Sequence, residues 1–209
     1  PVLSLMIDAV HRYEGTVNQV MGDGIMALFG APLAHEDHAI RACYAALHMQ
    51  DAIRRHSAAL RRAEGIEAQV RVGINSGEVV VRAIRSDLHM DYTAVGQTVH
   101  LAARMEQLAA PGSTRVAAAT FQLAEGYVAV RPLGRVPVKG VGEPLDVYEL
   151  VGVGSARTRL QAATRQGFSR FVGRHAEMEL LRRALDKAAR GSGHMAAGVG
   201  EPGAGTARV

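Results

Sequence analysis

Residues 16–30 read Thr-Val-Asn-Gln-Val-Met-Gly-Asp-Gly-Ile-Met-Ala-Leu-Phe-Gly. Two short β-type runs, 16–21 and 25–30, are joined by Gly22-Asp23-Gly24, and an Asp flanked by glycines is a hairpin signature because the tight loop asks for positive φ. The hairpin commits this part of the chain to an antiparallel sheet, and its flanks supply the cover. Upstream, Leu3, Met6, Ile7 and Val10 recur at helical spacing until Gly15. Downstream, the spacing predicts a long helix over 37–64. Asp37 stands where it can cap that helix. Ala39, Ala42, Cys43, Ala46, Met49 and Ile53 form one apolar stripe against Arg41, Arg54, Arg55 and Arg62. Such a helix should lie across one face of the sheet.

Further out, Val70, Val72 and Ile74 alternate with Arg71 and Gly73, and Asn75-Ser76-Gly77 then reads as a turn into 78–84. A second hairpin with a buried Val79-Val80-Val81 run is expected. Residues 90–95 read as a strand, and Gly96 opens a helix that Pro111-Gly112 ends. On this helix Leu101, Met105 and Leu108 should face the core. A short strand at 114–117, a helix at 118–124, and strands at 127–131 and 144–151 around a Gly-rich loop complete the pattern. The fold class expected is α+β, a sandwich with helices packed on a largely antiparallel sheet. Residues 152–166, rich in Gly, Ser and Arg, read as a linker between a domain at 1–151 and a further segment at 167–209.

Composition agrees with a globular protein: 48% of the 209 residues are apolar and 21% charged. Aromatics make up 4% and Trp is absent, so the core must be built from aliphatic side chains and Met. A lone Cys43 excludes an internal disulfide and a multi-cysteine zinc site, and it suits a reducing, cytoplasmic setting. No run approaches the ~18 apolar residues of a membrane span, and residues 1–10 lack the basic start of a signal peptide. The absence of an initial Met fits a piece of a longer protein. The net charge of +4 divides unevenly: residues 1–151 carry 14 basic against 16 acidic side chains, and residues 152–209 carry 10 against 4. The larger part therefore has no electrostatic footprint for a nucleic acid.

Three features could carry chemistry. Asp23 sits at a hairpin tip with nothing bulky beside it, open to a divalent cation, although an Asp-Gly turn is common whatever the function. Gln97, His100, Arg104 and Gln107 form one polar stripe on the helix after Gly96, where an Arg can reach phosphate bidentately and where a solvated face is the plainer reading. Lys139, the only lysine before Lys187, lies in a Gly-rich loop where an ammonium could meet a triphosphate. The His35-Glu36-Asp37-His38 run lacks the spacing of a zinc protease and reads as acidic residues at a helix start. Near the C-terminus, Gly200-Glu201-Pro202-Gly203-Ala204-Gly205-Thr206-Ala207 has the glycine spacing of a P-loop. Thr206 and Ala207 replace the Lys and the hydroxyl residue that would bind phosphate and Mg²⁺.

Taken in order, residues 13–32, Arg71-Val72-Gly73-Ile74-Asn75-Ser76-Gly77-Glu78-Val79, residues 91–104 and Val138-Lys139-Gly140 resemble the class III adenylate/guanylate cyclase catalytic domain. That resemblance implies a ferredoxin-like cyclase sandwich that converts ATP or GTP to the 3′,5′-cyclic monophosphate and pyrophosphate. It implies two divalent cations, Mg²⁺ or Mn²⁺, held by Asp23 and by a second Asp on an interior strand that would precede Pro1. The chain of residues 1–209 alone is therefore expected to be inactive, with exposed strand edges. Arg104 matches the arginine that steadies the α-phosphate, and Lys139 the lysine on the terminal phosphates. His100 stands where the family has a ribose-orienting Asn, and Gln19 where it has a purine-reading Lys, whose partner position is here Thr93. Gln19 and Thr93 are both neutral, which leans the expectation to ATP. The family's sites form between two domains, so a homodimer with shared active sites is implied. Phe171-Val172-Gly173-Arg174 and the degenerate P-loop resemble the start of an ATPase module that follows such domains. The substitutions at Gln19 and His100 keep open two alternatives: a non-catalytic nucleotide-binding dimerisation module, or an inactive gene remnant.

Overall fold

The computed structural model describes residues 1–86, 89–138, 142–156, 175–193 and 195. The chain forms two compact units, 1–166 and 167–209. The first contains, in order, α1 (Val2–Arg12), β1 (Thr16–Met21), β2 (Gly24–Leu28), α2 (His38–Glu64), β3 (Val72–Ile74), β4 (Val80–Ser86), β5 (His89–Val95), α3 (Gln97–Leu108), β6 (Thr114–Ala117), α4 (Ala118–Ala124), β7 (Val128–Val136) and β8 (Leu145–Val153). The second contains α5 (His175–Ala189), an amphipathic helix whose Leu180 and Leu185 are exposed.

The expected hairpin is present: β1 pairs antiparallel with β2, Met21 opposite Gly24, around a two-residue Gly22-Asp23 loop. Gly22 takes φ +62°, as the first central residue of a type II′ loop must. The α+β class and the helical cover hold, but the strands fall into three ladders: β1-β2, β4-β5, and β3-β6-β8-β7. All pairs are antiparallel except β3 with β6.

The second hairpin does not form. Residues 72–74 pair with β6, and the segment expected to turn is tied to helices instead. Asn75 Nδ2 donates to the Thr98 carbonyl at 3.0 Å, and Ser76 Oγ lies 2.9 Å from Thr120 Oγ1. Strand β4 pairs with β5, and Val80, read as buried, is 57% exposed. Leu108, also read as core, is exposed at the last residue of α3. Asp37 occupies the N-cap position of α2 without capping it. At φ −94°, ψ 20° it lacks the extended backbone of a capping residue, and its carboxylate accepts from Arg41 Nε at 2.7 Å. That hydrogen bond, with the Arg41 charge, holds the Asp37 carboxyl below its usual range against the opposing effect of burial.

Three apolar clusters hold the first unit together. Cys43 and Ala46 of α2 pack with Val116, Ala124, Val128 and Leu150, joining the helix to the four-stranded ladder and α4. Met6, Ala9 and Val10 of α1 meet Met49 and Ile53 of α2, with Val17, Ile25 and Ala27 against them. Met105 of α3 packs on Ala117, Val138 and Val147, with Leu101 beside them. Among these ladders β2 is bonded to β1 alone and β3 to β6 alone. A cavity of about 370 Å³ lies between them, with Ile25 and Ala27 on one wall, Val72 and Ile74 on the other, and Ala42 and Ala46 as its floor. Exposed strand edges are what the resemblance implied for this chain.

Candidate active site

The β1–β2 loop lifts Asp23 into solvent, and a Cβ added at Gly22 would meet nothing within 4 Å. The carboxylate is thus unobstructed. Gln19 is exposed four residues before it on β1. A bulge between Val17 and Gln19 sets Gln19 opposite Met26.

On α3, His100 is exposed and Arg104 half-buried. Arg104 Nη1 donates to Gln107 Oε1 at 2.6 Å, which steers the guanidinium along the polar stripe that the sequence predicts. The position of α3 is set from below. A Cβ on Gly73 would fall 2.1 Å from the Glu106 nitrogen and 2.2 Å from the Ala102 carbonyl oxygen, so the helix backbone rests directly on β3. Thr98 Oγ1 donates to the Glu78 carbonyl at 2.7 Å and, with the Asn75 bond, fixes the first turn of α3 to the 75–78 segment. Sequence reading missed Gly73, Asn75 and Thr98 as positioning residues. Their signal was weak, since a Gly between Val72 and Ile74 reads as an ordinary strand residue.

The structure does not place every candidate. The backbone of Thr93 lies in β5 opposite Arg82. Lys139, the 157–166 part of the linker, Phe171-Val172-Gly173-Arg174 and the degenerate P-loop lie outside the described residues. His35 and His38 do not converge on a metal: His38 Nδ1 meets the His35 carbonyl, and His35 Nε2 lies 3.4 Å from Glu14 Oε2. Among the described residues no group of three or more His, Cys, Asp or Glu is gathered. Asp23 supplies one carboxylate, and one carboxylate does not hold a pair of divalent cations.

The order of helices and strands in the first unit can be compared with known proteins. Residues 5–152 match the model of the adenylate and guanylate cyclase catalytic domain. The chain belongs to this family. It is 36% identical over 163 residues to adenylate cyclase 1 of Rhizobium meliloti, a match covering 77% of this chain and 24% of that protein. The chain thus spans about a quarter of the length of this relative. The guanylyl cyclase Cya2 superposes with a TM-score of 0.67 at 33% identity, over 75% of this chain and 80% of that one. The guanylate cyclase domain of RhGC from Catenaria anguillulae, solved with GTP, gives 0.64 at 28% identity, over 73% and 80%. No helix among the described residues of the cyclase-family chain is long and apolar enough to cross a membrane.

Proposed function

We propose that this cyclase domain converts a purine nucleoside triphosphate, ATP in preference to GTP, to the 3′,5′-cyclic monophosphate in a cytoplasmic signalling protein. In the reaction the ribose 3′-oxygen attacks the α-phosphorus, the bond from that phosphorus to the bridging oxygen breaks, pyrophosphate leaves, and the 3′-proton passes to solvent. The observation that carries this reading is Arg104, held on a helix whose seat on Gly73 allows little play. A guanidinium fixed beforehand stabilises negative charge as it develops on the α-phosphate without reorganising.

His100, one turn before Arg104, orients the ribose. Lys139 serves the terminal phosphates as a point charge. Gln19 and Thr93 read the base as neutral hydrogen-bonders, with no carboxylate to accept from guanine N1–H and N2–H. Cyclase domains of this family normally use divalent metal ions. When bound, Mg²⁺ or Mn²⁺ would lower the pKa of the 3′-hydroxyl and neutralise the triphosphate. Asp23 would be one ligand, and a second aspartate must come from another segment of the parent protein. We propose further that the domain acts as a homodimer with shared sites, that its last strand carries it past the expected boundary at 151 to Val153, and that the residues from there to 166 link it to an ATPase-like module beginning near 167.

The test is a cyclase assay on the parent protein with ATP and with GTP. Cyclic nucleotide and pyrophosphate in equal amounts, lost on chelation, are expected. Tight triphosphate binding without product would favour a regulatory nucleotide-binding module, the reading that the Lys-to-Gln and Asn-to-His departures at Gln19 and His100 support. A GTP preference in competition would overturn the assignment of base.

A further inference from the structure

The bulge in β1 does more than aim one side chain. Val17 lies opposite Ala27 and Val20 opposite Ile25, and Ile25, Ala27 and Val17 all pack toward α1 and α2. In a regular strand one residue separates two positions on the same face; here two do, Asn18 and Gln19. Both carboxamides therefore share the face of Met26, opposite the one that packs on α1 and α2.

Asn18 is the anomalous member of the pair. It is half-buried, its Oδ1 is fully buried, and that oxygen has no hydrogen-bond partner. An unsatisfied buried carbonyl is destabilising, and an apolar side chain of similar size would avoid the cost. No described group holds the other end of the amide either, so turning it about its soft terminal torsion breaks no hydrogen bond. Asn18 keeps part of its surface exposed, so that rotation can bring the oxygen out beside exposed Gln19, where it is suited to an incoming polar edge.

We propose that Asn18 is a second base-contacting residue, which reads the 6-substituent of the purine beside Gln19. Its oxygen accepts from the 6-amino group of adenine. Toward guanine the amide must turn to donate to O6, and Gln19, able to donate and accept, follows either base. This inference rests on the nucleotide-binding reading above, and it adds a residue to it.

The experiment measures binding by the parent protein, wild type and variants, of ATP and of purine ribonucleoside triphosphate, which lacks any 6-substituent, through displacement of a fluorescent nucleotide. Wild-type chain should prefer ATP by about tenfold, the usual worth of one buried hydrogen bond. Asn18→Ala should bind the two alike, with purine triphosphate affinity close to wild type, and Asn18→Gln should recover part of the preference. Asn18→Ser, which keeps a small polar group at the bulge, repeats the test should the Ala variant melt early. An unchanged ATP preference in folded Asn18→Ala or Asn18→Ser would overturn the inference alone. Failure of the wild-type parent protein to bind either triphosphate would overturn the nucleotide-binding reading and this inference with it.

Discussion

Replacing Gly73 by Ala should push α3 off β3. The added methyl carbon would stand 2.1 Å from the Glu106 nitrogen and 2.2 Å from the Ala102 carbonyl oxygen, both backbone atoms of α3 that cannot swing aside. For that methyl to reach the 3.4 Å of ordinary contact, the helix must withdraw by about 1.3 Å. Its retreat would loosen Met105 from Ala117 and Val147. Overpacking of this kind costs ~3 kcal/mol or more, equivalent to roughly 6–12 °C in melting temperature for a domain of this size. The functional loss should be larger, because Arg104 rides on the same helix and a misplacement of about 1 Å costs on the order of 100-fold in turnover. The assay compares thermal melting and cyclic-nucleotide formation for Gly73→Ala and Gly152→Ala in the parent protein. A Cβ at Gly152 meets nothing within 4 Å, so that variant controls for the loss of glycine itself. A Gly73→Ala protein that melts and turns over like the control would refute the close seating of α3.

Asp23→Asn should abolish metal-dependent turnover while leaving the melting temperature within about 2 °C, since Asn suits the same loop. Arg104→Ala should lower kcat far more than it raises KM, and mixing it with Asp23→Asn should restore part of the activity if sites are shared between protomers. Failure of that complementation would count against the shared-site homodimer. Glu149, opposite both Arg115 and Arg131, has its carboxyl held below the usual 4.5, first by the Arg131 hydrogen bond and then by the Arg115 charge. A lowered carboxyl stabilises the fold above about pH 4.5 and loses that contribution as pH falls through its folded value. Glu149→Gln should therefore cost ~1–2 kcal/mol at pH 7, where it strands the mostly buried Arg115, and should flatten the acid limb of the stability curve. Equal acid sensitivity of mutant and wild type in urea melts would show the pair to be inert. Residues 152–209 should show no saturable Mg²⁺-dependent ATP binding, because Thr206 and Ala207 supply neither charge nor metal ligand.

The readable parts of the fold were those set by local chemistry. Gly22-Asp23 dictates its hairpin loop, and the apolar stripe from Ala39 to Ile53 dictates a long helix with a buried face. What escaped was partner choice. The alternation at Val72 and Ile74 says that this stretch is a strand but not that it joins β6 in parallel; groups 23 and 44 residues away, the Thr98 carbonyl and the Thr120 hydroxyl, draw Asn75 and Ser76 off the turn. In the proposed site, Asp23 and Arg104 were picked out by the ordered blocks that resemble the family. Asn18 was not, because a bulge leaves no mark on alternation until the partner strand fixes the register.

Cys43 lends itself to kinetics. Its side chain has no exposed surface, it sits where α2 meets the four-stranded ladder, and burial pushes its thiol up to about 12. Neither access nor ionisation allows a thiol reagent to reach it in the closed protein. Each modification event must therefore record an excursion in which α2 lifts from the sheet, with no competing cysteine to confuse the signal. The ratio of its labelling rate to that of a free thiol gives the opening equilibrium of the layer that spaces β2 from β3. The chain thus carries its own clock for the breathing of the sandwich, readable by mass and without an introduced label.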